Sequence, residues 1–396
     1  MMLEDLLTRG VAGIIPKDIF TKKLQTGERM RLYLGVDPTG PVIHIGHAVI
    51  LRKMRQLQDL GHEIILLIGD FTARIGDPTD RSAARTTLTH EEVLANAATY
   101  KEQAAKILDF SDSASNPARL EFNAKWLDKL RFSDVIELSA RFTVQQMLER
   151  DMFEKRMQEG KPIHVHEFLY PIMQGYDSVA MDVDAEFGGN DQLFNMLTGR
   201  SLQQMMNKKE KVVVTFELLP GLDGRKMSKS FGNVIGVDDS PNDMFGKVMS
   251  LKDELIPEYF WLCTNSSVQD VQGVKHALSK GENPRDLKMC LARKIIALYH
   301  SVEAANAAEK EFIQVFQQKG APTDIPVYHL AVEDVSIVDV IVRAGLAVSK
   351  AETRRLIEQG GVKLNGKKVN DAHTALAFAD GDTVQVGKRK FITLRK

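Results

Sequence analysis

The segment from Arg31 to Ile68 leaves this chain few folds to choose from. Arg31-Leu32-Tyr33-Leu34-Gly35-Val36 reads as a strand, and Asp37-Pro38-Thr39-Gly40-Pro41 as the turn that ends it. From Gly46 to Leu60 the apolar residues recur at helical spacing, and Glu63–Ile68 is a buried-strand run. Strand, turn, helix, strand is a βαβ unit. Its repetition implies an α/β fold with a parallel sheet covered by helices.

A chain of 396 residues is too long for one core, so several domains are expected. Thr89–Arg156 reads as mostly helical, whereas Met181–Phe187 and Val212–Leu219 look like returning strands around a helix from Gln192 to Met206. Pro220–Asn233 is rich in Gly, Lys and Ser and lacks periodicity, so it is a loop. Asp238–Phe316 reads as helices, with Asn283 capping and Pro284 opening the one that runs to Tyr299. A polar stretch with Pro322 and Pro326 follows and predicts a linker. The expected boundaries are 1–222 with a helical insertion at 89–160, a loop at 223–235, a helical domain at 236–318, a linker at 319–332 and an α+β module at 333–396.

No apolar run approaches the ~20 residues of a membrane helix, and Met1-Met2-Leu3-Glu4-Asp5 lacks a signal-like start. Cys263 and Cys290 show no CxxC spacing and fit reduced thiols in a cytoplasmic protein. The formal net charge is only −1. The basic residues nonetheless gather after Glu333, at Arg354-Arg355, Lys363, Lys367-Lys368, Lys388-Arg389-Lys390 and Arg395-Lys396. A basic end on a net acidic body points to a localised polyanion contact.

Two short stretches carry chemistry. His44-x-Gly46-His47 opens the first helix, where N–H groups and the positive dipole end suit phosphate. Two imidazoles three residues apart can both face a phosphate chain there, and Gly46 lets a flat base approach the backbone. Gly224-Arg225-Lys226-Met227-Ser228-Lys229-Ser230 sets two lysines on a loop able to fold over a triphosphate. They would neutralise charge that develops only as pyrophosphate leaves. His164 and His166 could hold a metal on a strand, but no cluster joins them and no bound metal is expected.

This pair resembles the signatures of the class I aminoacyl-tRNA synthetases. Further stretches narrow the resemblance to the bacterial tyrosyl-tRNA synthetase family: Tyr33–Thr39, Ile75-Gly76-Asp77-Pro78, Tyr170-x-x-x-Gln174-x-x-Asp177 and Gly188-Gly189-Asn190-Asp191-Gln192. The resemblance implies a Rossmann-type sheet and a homodimer. Its substrates would be L-tyrosine, ATP with Mg²⁺, and tRNA(Tyr). Tyr33 and Asp177 would hold the phenol, and Tyr170, Gln174 and Asp77 the α-ammonium, with Thr72 close by and Gln192 near the carboxylate. Gly35, Asp37, Thr39, Gly46, Gly189, Asp191 and Met227 would lie beside ATP, Asp191 accepting from its ribose. His44, His47, Lys226, Lys229, Ser230, Arg81 and Arg85 would stabilise the reacting phosphates. Arg81 stands where the family usually has lysine, and Leu34 where a ribose-touching residue is frequent.

Ser349–Gly366 resembles the RNA-binding module named after ribosomal small-subunit protein S-four. It would present Lys350, Arg354, Arg355, Lys363, Lys367 and Lys368 to tRNA phosphates. Helix 284–300 resembles the family's anticodon-binding domain. Three alternatives stay open at this point: the tryptophan-specific relatives, a nucleotidyltransferase with the same HxGH helix, and a non-catalytic RNA-binding paralogue.

Overall fold

The computed structural model describes residues 3–78, 89–227, 231–316, 326–330, 336–372, 378–387 and 390–396. The chain forms two compact units, Met1–Ala305 and Asn306–Lys396. In the first, six strands follow in chain order: β1 (Val11–Ile15), β2 (Arg31–Val36), β3 (Glu63–Ile68), β4 (Arg119–Phe122), β5 (Ala185–Gly189) and β6 (Val212–Phe216). They pair in the order β1-β6-β5-β2-β3-β4. Every pair is parallel except β1–β6. The apolar residues of β3 and β6 are buried, which is why both read as continuous hydrophobic runs. From β2 the chain moves outward to β3 and β4, then returns to β5 and β6 on the other side. The crevice beyond the carboxyl ends of β2 and β5 is therefore a topological switch point, the usual ligand position in such sheets.

Three helices frame that crevice: α1 (Ile45–Asp59), α2 (Val165–Met181) and α3 (Leu193–Asn207). The α2 and α3 backbones approach closely where Gly175 faces Gly199. A Cβ on Gly175 would sit only 3.2 Å from the Gly199 nitrogen. The helices of 241–299 belong to the same unit as the sheet, and Arg52 on α1 donates to Leu262 O at 3.2 Å. Among the described residues no helix is long and apolar enough to cross a membrane.

Several expectations need correction. The sheet is mixed rather than purely parallel, because β1 adds an antiparallel edge. The stretch 89–156 is not helical throughout, since β4 lies inside it. Its polar sequence suits an edge: Arg119 pairs with Glu63 at 2.8 Å and Glu121 at 2.5 Å. β5 begins only at Ala185, because α2 runs to Met181 and Asp182 closes it in the left-handed region at φ 49°. β6 ends at Phe216, where Glu217 N turns to Gly10 O at 3.0 Å. His164 caps α2 and His166 lies in its first turn, so this pair is not on a strand.

The second unit holds a five-stranded sheet of β7 (Val327–His329), β8 (Val362–Leu364), β9 (Lys367–Lys368), β10 (Thr383–Val386) and β11 (Lys390–Arg395). Their order is β7-β11-β10-β8-β9. Helices Ile337–Arg343 and Lys350–Glu358 share with the sheet a core that includes Ile341, Ile357, Val384 and Leu394. β7 corrects the linker expected at 319–332. It pairs in parallel with β11, Thr393 N donating to Pro326 O at 2.8 Å.

Candidate active site

Every described residue of the first unit that the family resemblance assigned to tyrosine, ATP or the reacting phosphates lines one cleft of about 660 Å³. Four others, Arg81, Arg85, Lys229 and Ser230, lie outside the described residues. At one rim α1 begins with His44 as its N-cap. The His44 and His47 rings stack at 3.8 Å, and the His44 N–H donates to His47 Nδ1 at 3.4 Å. Gly46 is needed there, because a Cβ would lie 2.9 Å from His44 Nδ1. Ile45 N donates to Ile235 O at 2.9 Å, which ties the helix start to the chain leaving the lysine loop. Lys226 reaches Asp191 Oδ2, just beyond β5, at 3.2 Å. His44, Gly46 and His47 thus face one rim together with Lys226 and Met227, about 180 residues further along the sequence.

The floor of the cleft is polar and buried. Tyr33 on β2 is fully buried, its hydroxyl 3.0 Å from Ser178 Oγ. Asp177 on α2 accepts from Trp126 Nε1 at 2.7 Å and from Asn123 Nδ2 at 3.2 Å. Asn123 also donates to Thr72 Oγ1 at 3.1 Å, and Thr72 donates to Asp37 Oδ1 at 2.7 Å. Tyr170 donates to Asp37 Oδ2 at 2.8 Å, while Gln174 donates to Glu186 Oε1 at 2.9 Å. Gln192 donates to Asp77 Oδ2 at 2.7 Å, with Arg150 3.8 Å from the other oxygen. Asp37 is therefore shared by Thr72 and Tyr170, although the sequence placed it beside ATP. Gly69 makes room for it, since a Cβ there would meet Asp37 Oδ1 at 2.0 Å.

This floor carries negative potential. Burial pushes the Asp177 carboxyl well above the ordinary carboxylate range, opposed by its Trp126 and Asn123 donors and reinforced by Glu186 and Asp37. Burial also raises the Tyr170 phenol, with Asp37 and Asp77 adding to it. Such a pocket gains from a cationic guest, and it ends in a hydroxyl and a carboxylate that an alcohol or phenol can bridge.

Sequence reasoning missed Asn123, Trp126, Ser178, Glu186, Lys211 and Gly69. Lys211 is fully buried and paired with Glu186. In the second unit Arg354, Arg355, Lys367 and Lys368 are exposed, whereas Lys363 is half-buried in β8 and Lys350 is paired with Asp339 at 2.7 Å.

Residues 25–317 match the family described as tRNA synthetases class I (W and Y), and residues 335–384 match the S4 domain. A tyrosine--tRNA ligase of Moorella thermoacetica is 50% identical over 395 residues, spanning 98% of this chain and 94% of that protein. One of Haemophilus influenzae is 47% identical over 390 residues, spanning 98% and 96% respectively. A C-terminally truncated mitochondrial tyrosyl-tRNA synthetase of Aspergillus nidulans shares the fold with a TM-score of 0.66 at 23% identity, covering 79% of this chain and 93% of that one.

Proposed function

The chain belongs to the class I tRNA synthetases of the tryptophan and tyrosine type, and from that premise we propose the reaction and the part each residue takes in it. The enzyme activates L-tyrosine with ATP and transfers the tyrosyl group to the terminal adenosine of tRNA(Tyr). One observation carries the choice of amino acid: the buried end of the cleft pairs Tyr33 with the Asp177 carboxylate. A phenol both accepts and donates, so it can serve both groups. An indole N–H only donates, and a phenyl ring does neither, leaving buried polar groups unpaired at about 1–3 kcal/mol each.

The α-ammonium of tyrosine sits among Asp77, Tyr170 and Gln174, with Thr72 close by, and Asp37, which accepts from both Thr72 and Tyr170, adds negative charge beside it. The carboxylate, held near Gln192, attacks the α-phosphorus in line, and pyrophosphate departs. His44, His47 and Lys226, joined by Lys229, Ser230, Arg81 and Arg85, stabilise the phosphates in that step. Gly35, Thr39, Gly46, Gly189 and Met227 shape the nucleotide site, and Asp191 takes the ribose. Mg²⁺ carried by the ATP phosphates would share the neutralisation of their charge with His44, His47 and Lys226. In the second step a ribose hydroxyl of the tRNA terminus attacks the tyrosyl carbonyl and releases AMP.

Amino-acid-dependent exchange of pyrophosphate into ATP tests this reading. Exchange with tyrosine, and none with tryptophan or without amino acid, is the expected result. Exchange that tryptophan supports, or that needs no amino acid, overturns it.

In the second unit, Arg354, Arg355, Lys363, Lys367 and Lys368 contact tRNA phosphates, and Lys350 does so once released from Asp339. Replacing Arg354 and Arg355 together by alanine should weaken tRNA binding and flatten its salt dependence by roughly 0.7–0.9 log units per lost phosphate contact. Filter binding across a salt series measures this. An unchanged slope would remove these arginines from the interface. Two copies of the chain pair in the cytoplasm through the exposed apolar side chains of Phe132, Ile136, Val144 and Val165.

A further inference from the structure

Beneath the phenol end of the cleft lies a charged group that the reaction does not use. Lys211, the residue before β6, buries its ammonium completely between α2, α3 and β5. Space for it comes from Gly199, where a Cβ would lie 2.4 Å from Lys211 Nζ. The ammonium donates to Ser178 Oγ at 2.8 Å, to Met196 O at 3.1 Å and to Glu186 Oε2. An ammonium has three protons and no lone pair, so all three contacts run outward from the lysine.

That polarity is handed on. Ser178 Oγ accepts from Lys211, and its own proton needs an acceptor. Tyr33 Oη, 3.0 Å away, is the one in contact among the described residues. If Ser178 accepted from Tyr33 as well, a fully buried hydroxyl proton would be left unpaired, which burial makes costly. Tyr33 therefore accepts from Ser178 and keeps its own proton to give. Glu186, opposite Tyr33 in the β2–β5 register, is the rival acceptor. It is hydrogen-bonded to the Tyr33 side chain as well, but it also accepts from Lys211 and from Gln174, and these donors draw its charge away from Tyr33, so that the Tyr33 proton can pass to a guest.

We propose that Lys211, acting through Ser178, orients the Tyr33 hydroxyl as a donor to the substrate phenol, so that the phenol in turn donates to Asp177. Lys211 and Ser178 are positioning residues for amino-acid selection, and the proposal rests on the phenol site assigned above. Were the Tyr33 proton given to Ser178 instead, Tyr33 and Asp177 would both be acceptors competing for one phenolic proton. With it, each group finds a partner only when the guest carries a hydroxyl.

The test is a cycle of Ser178→Ala and Tyr33→Phe, reading kcat/KM for tyrosine and for phenylalanine in pyrophosphate exchange. Ser178→Ala should lower the tyrosine-to-phenylalanine ratio by roughly tenfold, through KM for tyrosine, with KM for ATP unchanged. On the Tyr33→Phe background the same substitution should leave the ratio where it is. A ratio unmoved by Ser178→Ala, or moved equally in both backgrounds, overturns the relay. If Tyr33→Phe alone leaves discrimination intact, the phenol site itself is wrong, and the relay falls with it. Lys211→Met alone strands the Glu186 charge, so it is paired with Glu186→Gln. That double variant should reproduce the fall in the ratio, and an unchanged ratio in the folded double variant counts against Lys211.

Discussion

Lys226→Ala should slow formation of tyrosyl-adenylate by about 10²–10³-fold and leave tyrosine affinity unchanged. The Lys226 ammonium stands at the loop rim, half-exposed and 3.2 Å from Asp191, away from the floor that receives the amino acid. Its positive charge matters most when the bond to pyrophosphate breaks, because only then does negative charge build on the departing group. An interaction made only in the transition state lowers kcat and kcat/KM together and leaves ground-state binding alone. To act, the ammonium must exchange Asp191 for phosphate, which frees that carboxylate for the ribose. Single-turnover measurement of adenylate formation, beside equilibrium titration with tyrosine, separates the two quantities. Weakened tyrosine binding at an unchanged rate would place Lys226 on the wrong side of the cleft.

How legible the molecule was in its sequence follows from which features leave a periodic or motif-like trace. β2, β3 and the helix between them are long, apolar and punctuated by a proline-glycine turn, so the βαβ unit that carries His44 and His47 is legible in the sequence. β1, β4 and β7 could not. β1 is five residues long and contains Gly13, and β4 is only four residues, two of them charged, as its place at an edge allows. β7 is three residues beside a proline, and its pairing partner lies some sixty residues on. These are strands made by tertiary pairing rather than by propensity.

The site divides in the same way. Groups expected to meet substrate were read from motifs, whereas those that hold them were not. Asn123 and Trp126 come from the insertion, and nothing in their neighbourhood marks them as partners of Asp177. Glu186 and Lys211 did leave a trace. Each is a charge in or beside an otherwise apolar strand, a pattern that a buried ion pair explains better than a solvated face. The roles given to Tyr170, Gln174 and Asp77 also gained content, because each already bonds another protein group and must be shared with or surrendered to the ammonium.

Asp177→Asn should reduce kcat/KM for tyrosine by roughly 10–100-fold and also change how stability depends on pH. Among the described residues no cation is in contact with this buried carboxylate, which is held by two neutral donors and faces Glu186 and Asp37. Its folded-state pKa therefore lies above the ordinary value of 3.8, the reverse of a salt-bridged aspartate. Between those two values the folded state binds more protons than the unfolded one. The stability this group contributes is thus fully present below 3.8 and is lost as pH rises through the raised value. The amide cannot ionise, so thermal unfolding of the variant should lack that component of the decline seen in the parent. Tyrosine supplies what the empty pocket lacks: an ammonium for the negative floor and a phenolic proton for the carboxylate. Its stabilising effect on the parent should accordingly grow as pH rises across the same window, and much less so in the variant. Parallel pH dependences for the two proteins, with and without tyrosine, would show that Asp177 titrates alike in the folded and unfolded chain, which overturns the raised pKa and its coupling to the amino acid.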